Sequence, residues 1–177
     1  MELILLAAGK GSRIFNKINK NKCLIKIKNL TLVEKIIRDF QFYENKNKSF
    51  VVVGYKKENI KRALKKYKNV LFIHNNFYAS REMLYSLKLG LMKANSDVII
   101  SYTDILYSKN LFSKLIKIKN KKEIILPIYK NWKKTWKKRK KSIFDDCESL
   151  KYDKNNYLLE IGNNLKSVKD TMGQFMG

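Results

Sequence analysis

The chain has 177 residues, a formal net charge of +24 and a hydrophobic fraction of 45%, a length that suits one domain with a single sizeable core. No apolar run approaches the roughly 20 residues that a membrane-spanning helix needs, and the short N-terminal apolar run leads into a glycine loop instead of a signal-peptide cleavage site, so we expect a cytoplasmic protein with no membrane partner. Two cysteines and one histidine without metal-ligand spacing indicate neither a disulfide framework nor a zinc site.

The positive charge raises the question of polyanion binding, because strongly basic proteins attract nucleic acid through counterion release. The lysines are scattered over nearly every segment and accompany no helix-turn-helix, zinc-finger or aromatic RNA-binding motif. We therefore expect no specific nucleic-acid partner. A basic domain that binds polyanions stays open as an alternative from a different functional class.

The first predicted element is a buried strand followed by a loop of small residues. Residues 3–6 form an unbroken apolar run of the kind found in strands covered on both faces. In the loop, the alanines and glycine at 7–9 and Gly11 let backbone N–H groups approach an anion closely. Arg13 adds a planar guanidinium suited to bidentate phosphate contact. The loop and the arginine together predict a polyphosphate site.

Two other glycine-loop motifs do not match this stretch. A dinucleotide-binding fingerprint needs a third glycine, which would fall at Ile14, and an acidic residue closing the second strand, where Gly54 and Tyr55 stand. A Walker-type loop needs the pattern G-x-x-x-x-G-K-[ST], which the chain lacks. A purely structural turn stays open as the alternative, since tight turns after strands are common.

Strand and helix patterns alternate through the next part of the chain. A connection rich in lysine and asparagine over residues 14–22 precedes a short extended segment over residues 23–28. Thr31 followed by Glu34 has the spacing of a capping box and predicts the start of a helix. The later predicted elements are strands over residues 50–53, 70–74 and 98–101, and helices over residues 58–67, 81–94 and 109–118.

Asp104 comes shortly after the last of these strands. Open α/β sheets bind ligands at the carboxyl ends of their strands, and Mg²⁺ is typically held by carboxylates together with substrate phosphates. An N-cap role is the alternative, but Ser108 is better placed to cap the following helix. The position of Asp104 therefore predicts a Mg²⁺ ligand. The single histidine, His74, lies at the end of a predicted strand, and we expect it to be structural.

The basic segment over residues 130–141 allows two interpretations. Trp132 and Trp136 lie one helical turn apart on the same face. The tryptophans either pack beneath a solvated basic helix, or the segment forms a cationic wall for a phosphorylated or carboxylated substrate. The residues alone leave both interpretations open.

The other C-terminal patterns are strands. Residues 123–129 form one, residues 148–153 and 157–161 form a hairpin that turns at residues 154–156, and residues 171–177 form the last. Since strands and helices alternate without a linker or a repeat, we expect a doubly wound α/β domain.

Four stretches resemble the nucleotidyltransferases that activate sugar phosphates and phosphocholine. They are residues 6–13, 22–24, 53–55 and 102–105. Residues 131–139, 145–149 and 158–162 are more similar to the phosphocholine and phosphonate cytidylyltransferase branch than to the sugar branch. The resemblance spans nearly the whole chain and implies a mostly parallel, Rossmann-like sheet of the nucleotide-diphospho-sugar transferase type.

The resemblance also implies a reaction. A CMP group from CTP, or a nucleotidyl group from another NTP, would pass to a small phosphorylated or phosphonate acceptor with release of pyrophosphate, in cell-surface polymer or phosphonate assembly. Arg13 and Lys22 would be catalytic by neutralising phosphate charge, and Asp104 would hold Mg²⁺. The implied nucleotide-binding residues are Leu6, Ala7, Ala8, Gly9, Lys10, Gly11, Ser12, Gly54, Ser80 and Tyr102. The implied acceptor-binding residues are Trp132, Arg139, Asp145 and Glu148.

The sequence departs from this family at three places. Asn21 stands where a proline usually precedes the lysine, and residues 80–83 replace a stretch that usually contains asparagine. Family members continue past a strand like residues 174–177 and carry a second metal-binding aspartate there, so we expect a single domain over residues 1–177 that is truncated at its C-terminus. A sugar-1-phosphate nucleotidyltransferase and an inactive NTP-binding domain stay open as alternatives, and the oligomeric state is not determined.

Overall fold

A computed structural model describes residues 1–11, 21–118, 124–138 and 147–175 of the chain. The protein forms two compact units, a first unit over Met1–Lys122 and a second unit over Glu123–Gly177. The expected single-domain organisation stays a prediction. Within the described ranges, every helix is too short or too polar to cross a lipid bilayer.

The first unit alternates strands and helices around a parallel sheet. Its elements in chain order are β1 (Glu2–Ala7), a 3-10 turn (Lys22–Leu24), β2 (Lys26–Ile27), β3 (Leu30–Thr31), α1 (Leu32–Gln41), β4 (Ser49–Val53), α2 (Lys57–Leu64), β5 (Val70–His74), α3 (Met83–Leu91), β6 (Val98–Tyr102) and α4 (Lys109–Ile116). The sheet has four parallel strands in the order β5-β4-β1-β6. The predicted α/β class with a mostly parallel sheet is confirmed.

Strand β1 lies inside the sheet, and its side chains alternate between two apolar cores. Leu3 belongs to one core together with Phe40 of α1. Ile4 belongs to the other core together with Val52 of β4, and Gly90 of α3 lies against both of these side chains. Helices therefore cover both faces of the strand, which is the physical reason for its unbroken apolar run.

Helix α1 begins at the predicted capping box. Glu34 N donates a hydrogen bond to Thr31 Oγ1 (3.3 Å), and Thr31 N donates one to Glu34 Oε2 (2.9 Å). The two bonds satisfy N–H groups at the start of the helix that have no partner within it. The predicted start of the helix is confirmed. It could be predicted from sequence because the capping-box signal lies within four consecutive residues.

The segment after residue 21 differs from the extended run predicted over residues 23–28. Lys22–Leu24 forms a 3-10 turn, and Lys26–Ile27 pairs antiparallel with Leu30–Thr31. Hydrogen bonds from Leu24 N to Asn21 O (2.9 Å) and from Ile25 N to Lys22 O (3.1 Å) close the turn. The alternation of apolar and basic residues therefore reflects a turn and a short hairpin.

Three helices end two or three residues earlier than predicted, because their last turns change to 3-10 hydrogen bonds. Tyr67 N donates to Leu64 O (3.0 Å) after α2, and Ile118 N donates to Leu115 O (3.3 Å) after α4. Such tightening is common where a helix ends. Ser108 occupies the N-cap position of α4 as predicted, but its side chain makes no capping hydrogen bond within the described residues.

The second unit contains two small antiparallel pairs. Its elements are β7 (Ile128–Tyr129), α5 (Trp132–Trp136), β8 (Glu148–Tyr152), β9 (Leu158–Asn164), a 3-10 turn (Val168–Asp170) and β10 (Gln174–Phe175). The β8–β9 pair is the predicted hairpin, and Asn156 in its turn has a φ of +67°. The strand predicted over residues 123–129 is limited, in its described part, to β7, which pairs with β10. Pro127 just before β7 lacks the N–H group that a longer strand would need.

Candidate functional site

The candidate site lies at one edge of the first unit's sheet, where three parallel strands end together. Leu6 of β1 is in register with Tyr102 of β6, and Ala7 is in register with Val53 of β4. The loops that follow these strands therefore begin side by side. Ligands of open α/β sheets bind outside the carboxyl ends of the strands, which is this edge.

Two glycines allow the loops to approach one another closely. Gly11 has a φ of +66°, a left-handed conformation that favours glycine, and a Cβ added there would lie 3.4 Å from Lys22 Cβ. A Cβ added at Gly54 would lie 2.8 Å from the Ala8 carbonyl oxygen and 2.6 Å from Tyr78 Cβ. The glycine loop therefore contacts both the Lys22 turn and the loop after β4.

Lys22 and Asp104 meet at this edge. Lys22 Nζ donates to Asp104 Oδ2 in an ion pair, and both side chains are partly exposed. The two residues are 82 positions apart, so the fold brings them together. The cation predicted to neutralise phosphate and the carboxylate predicted to hold Mg²⁺ therefore lie in one place. Ser12 and Arg13 fall outside the described residues, and their roles stay predictions.

Buried groups next to the ion pair hold its loops in place. Thr103 Oγ1 donates to the Leu6 carbonyl oxygen (3.2 Å), which ties the end of β6 to the end of β1. Burial raises the pKa of the Cys23 thiol to about 12, the charge on Asp104 adds to this shift, and hydrogen bonds to the Cys23 backbone and to Thr103 oppose it. Cys23 is therefore a neutral thiol near pH 7 and is unsuited to act as a nucleophile.

A cluster of aromatic and basic side chains surrounds Tyr55, a residue of the stretch 53–55 for which the family resemblance implies no role. The Tyr55 ring centroid lies 6.2 Å from that of Tyr78, 5.8 Å from Lys10 Nζ and 5.6 Å from Lys56 Nζ. Cations at such distances are attracted by the face of an aromatic ring. The position of Tyr55, directly after Gly54 at the end of a buried strand, is the signal that could have identified it.

Asn75 holds the loop that carries Ser80. Its Oδ1 accepts a hydrogen bond from Phe77 N (2.8 Å), and its Nδ2 donates one to Ser86 Oγ of α3 (2.9 Å). Ser80 is exposed in the turn that follows, where its N–H donates to Phe77 O (3.1 Å). Because Tyr78 of the same loop packs against Gly54, the loop adjoins the candidate site.

Asp104 could contribute to a metal site together with ligands from a substrate. Among the described residues, no group of three or more His, Cys, Asp and Glu side chains is arranged to hold a metal ion. Mg²⁺ is commonly bound by one or two carboxylates together with substrate phosphates and water. A partly exposed carboxylate beside the glycine loop fits that mode of coordination.

The predicted acceptor-binding residues belong to the second unit or lie outside the described residues. Trp132 is buried and packs edge to face against Trp136, with ring centroids 6.2 Å apart, in a cluster that also contains Leu165. This burial favours the structural interpretation of the two tryptophans. Glu148 is exposed at the start of β8. Arg139 and Asp145 fall outside the described residues, and all four assignments stay predictions.

A known protein-family model matches most of the chain. The model of the MobA-like NTP transferase domain matches residues 3–164 of the chain. A curated relative, the CTP:phosphoglutamine cytidylyltransferase of Campylobacter jejuni, is 31% identical over 184 residues. The match covers the whole of this chain and 71% of the relative.

Solved structures share the fold at low sequence identity. The CTP:phosphocholine cytidylyltransferase of Streptococcus pneumoniae is 20% identical with a TM-score of 0.63, over 99% of this chain and 66% of that one. The inositol-1-phosphate CTP transferase of T. maritima is 18% identical with a TM-score of 0.69, over 99% and 69%. A Bacillus anthracis protein classed as a glucose-1-phosphate thymidylyltransferase is 14% identical with a TM-score of 0.76, over 99% and 68%. The chain thus spans about two thirds of the length of each of these proteins.

Proposed function

The chain belongs to the MobA-like NTP transferase domain family, and on this premise we propose that it transfers CMP from CTP to a small phosphorylated acceptor. The observation that carries the proposal is the meeting of Lys22 and Asp104 beside the glycine loop. The identity of 31% to a CTP:phosphoglutamine cytidylyltransferase supports CTP as the nucleotide.

The proposed reaction is a displacement at the α-phosphorus of CTP. An oxygen of the acceptor phosphate forms a bond to the α-phosphorus, the bond to the oxygen that bridges to the β-phosphorus breaks, and its electron pair leaves with pyrophosphate. A phosphate monoester has a second pKa of about 6, so the attacking oxygen is already ionised near pH 7. Catalysis therefore needs positioning and charge stabilisation more than a general base.

In this reaction Lys22 binds the triphosphate and stabilises negative charge at the α-phosphate. Its ammonium is a compact point charge with three donors, which suits phosphate oxygens. The glycine loop adds backbone N–H groups, and Arg13 is proposed as a second phosphate-binding cation. The basic side chains of Lys10 and Lys56 beside Tyr55 make the same edge more attractive to a polyanion.

Asp104 is proposed as the Mg²⁺ ligand. When bound, the ion would neutralise part of the triphosphate charge. The ion pair would then open, with Lys22 binding phosphate oxygens and Asp104 binding the metal. This opening is feasible because partly exposed ion pairs contribute only about 1 kcal/mol or less. The pair keeps opposite charges compensated in the absence of substrate.

For the acceptor we propose a small phosphorylated or phosphonate compound, with a phosphorylated amino-acid amide as the first choice. The Campylobacter jejuni relative is named for phosphoglutamine, which supports this choice. We further propose that the reaction takes place in the cytoplasm, where CTP is available, and activates a building block for a cell-surface polymer. A sugar-1-phosphate acceptor is not favoured, because the curated relative is named for a different acceptor.

The proposal is tested by pyrophosphate release from a panel of NTPs combined with phosphoglutamine, phosphocholine, a phosphonate and sugar 1-phosphates. We expect release with CTP and one of the first three acceptors. Release with another NTP and a sugar 1-phosphate would show instead that the protein is a sugar-1-phosphate nucleotidyltransferase. CTP binding without release from any pair would contradict the transferase proposal and favour an inactive NTP-binding domain.

A further inference from the structure

We propose that Asn21 is a positioning residue for Lys22, acting through a buried hydrogen bond to the backbone of Tyr55. This inference deepens the proposed function and rests on it, because it requires that Lys22 bind the triphosphate. Asn21 does not itself contact substrate in this account. It fixes the turn from which the lysine side chain reaches Asp104.

The Asn21 side chain links the Lys22 turn to the end of β4. The residue is only 1% exposed, and its Nδ2 donates to the Tyr55 carbonyl oxygen (2.7 Å), which is 34 positions away. The N–H group of Tyr55 in turn donates to the Ala8 carbonyl oxygen (3.0 Å). Tyr55 thus bonds to the glycine loop through its N–H and to Asn21 through its carbonyl, so the loop and the lysine share one anchor.

The backbone of Asn21 fixes the same turn. Its carbonyl oxygen accepts from Leu24 N (2.9 Å), and its φ of −57° and ψ of 132° place it as the extended residue that begins the 3-10 turn. With both backbone and side chain held, the Lys22 Cα has little freedom. On the other side of Lys22, Cys23 is buried, and Thr103, the neighbour of Asp104 in sequence, donates through its Oγ1 to the Leu6 carbonyl oxygen (3.2 Å).

The side-chain oxygen of Asn21 bears on why an asparagine, and not an apolar residue, occupies this buried position. Its Oδ1 is buried and has no hydrogen-bond partner in the described part of the chain. A buried carbonyl without a partner is unfavourable, and an apolar side chain of similar size would avoid this cost. An Asn that served only to fill space would be a poor choice, whereas one that donates to Tyr55 O has a specific role.

Loss of this anchor is expected to act through Lys22. A lysine side chain has many rotamers, so its ammonium is well placed only if the backbone beneath it is fixed. Displacing a group that binds the reacting phosphate by about 1 Å can reduce the rate by as much as ~100-fold. If loss of the Asn21 hydrogen bond shifts the Lys22 ammonium but leaves it in the site, we expect kcat and CTP affinity to fall roughly tenfold, which corresponds to the free energy of one hydrogen bond.

The test is a double-mutant cycle between Asn21→Ala and Lys22→Ala, read as CTP affinity by calorimetry with Mg²⁺ and as kcat for pyrophosphate release. Asn21→Ala should weaken CTP binding and lower kcat about tenfold when Lys22 is present. In the Lys22→Ala background it should change either quantity less than about twofold, because the group that it positions is gone. A residue with a merely structural role would produce the same factor in both backgrounds.

Asn75→Ala is the matched control. Asn75 is also 1% exposed and donates through Nδ2 to a partner in another element, but it holds a different loop. Its effect on CTP affinity should be the same with and without Lys22. Thermal unfolding shows whether Asn21→Ala is folded at the assay temperature. If it is not, Asn21→Ser replaces it, because serine keeps a polar group in the buried position but is too short to bond to Tyr55 O.

The outcomes separate this inference from the proposed function. Additive effects of Asn21→Ala and Lys22→Ala, or an Asn21→Ala variant equal to the wild type, would overturn the positioning role while leaving cytidylyl transfer in place. A wild-type chain that binds no CTP would overturn both proposals.

Discussion

Two ion pairs of the first unit use lysines of nearly equal exposure but join different kinds of structure. The Lys22 side chain is 39% exposed and pairs with Asp104, 82 positions away, where separate loops meet at the edge of the sheet. The Lys61 side chain is 38% exposed and pairs with Glu58 on the same helix, with Nζ and Oε1 3.1 Å apart. Exposure alone therefore does not mark the candidate site. What distinguishes Lys22 is the convergence of its loop with the glycine loop.

The largest expected effect is that of Lys22→Ala compared with Lys61→Ala. Removing a group that stabilises charge in the transition state typically costs about 10²–10³ in kcat, and we expect a loss of this size for Lys22→Ala. Lys61→Ala should stay within about twofold of the wild type, because exposed helix pairs contribute little. Steady-state pyrophosphate release measures kcat for both variants. Equal kcat values would contradict the assignment of a catalytic role to Lys22 and not to Lys61.

Asp104→Asn should give the next largest effect. The variant keeps the shape of the side chain but removes the charge that would hold Mg²⁺, so we expect kcat to fall by at least ~10-fold and the Mg²⁺ concentration for half-maximal rate to rise. Glu58→Gln is the control in the other ion pair and should leave the Mg²⁺ dependence unchanged. A Mg²⁺ titration of the rate checks this, and an unaltered midpoint for Asp104→Asn would argue against the metal role.

Thr31→Ala should affect stability without affecting the site. The variant removes the N-cap of α1, which typically lowers the free energy of unfolding by about 1 kcal/mol. The capping box is local to the start of α1, so kcat for pyrophosphate release should stay near the wild-type value. Denaturant unfolding together with the rate assay tests this, and a large loss of kcat in the folded variant would show that α1 is coupled to the site.

The smallest effect is a pH dependence centred on Glu34. Burial acts to raise the pKa of its carboxyl, but hydrogen bonds from Lys66 and Thr31 outweigh burial and hold the pKa below its usual value. A group whose pKa is lower in the folded state adds stability above its unfolded pKa of about 4.3 and loses it as the pH falls through the folded pKa. The difference in unfolding free energy between wild type and Glu34→Gln should therefore shrink from neutral to acidic pH. A difference independent of pH would contradict this assignment.

The sequence predicts the features whose signals are local or follow from the order of strands. The Thr31 and Glu34 capping box is contained in four residues, and Asp104 follows β6, which ends beside its parallel neighbour β1 at the same edge of the sheet. The 3-10 turn at Lys22 could not be predicted in this way, because the Asn21 side chain that anchors its first residue bonds to Tyr55 from a different part of the chain.

The burial of the tryptophans of the second unit could not be predicted from local sequence either. Their spacing on a helix predicts that Trp132 and Trp136 share a face, but the spacing does not say whether that face is buried. The answer comes from Leu165, more than 25 positions later in the chain, which packs into the same cluster. Contacts of that kind depend on the tertiary fold.

A crystal structure of the chain with CTP and Mg²⁺ bound would test the proposed roles of Lys22 and Asp104. We expect the triphosphate to lie against the glycine loop, Lys22 Nζ to contact phosphate oxygens in place of Asp104, and Asp104 to coordinate the metal. A nucleotide bound elsewhere on the protein, with the ion pair between Lys22 and Asp104 still closed, would contradict these roles.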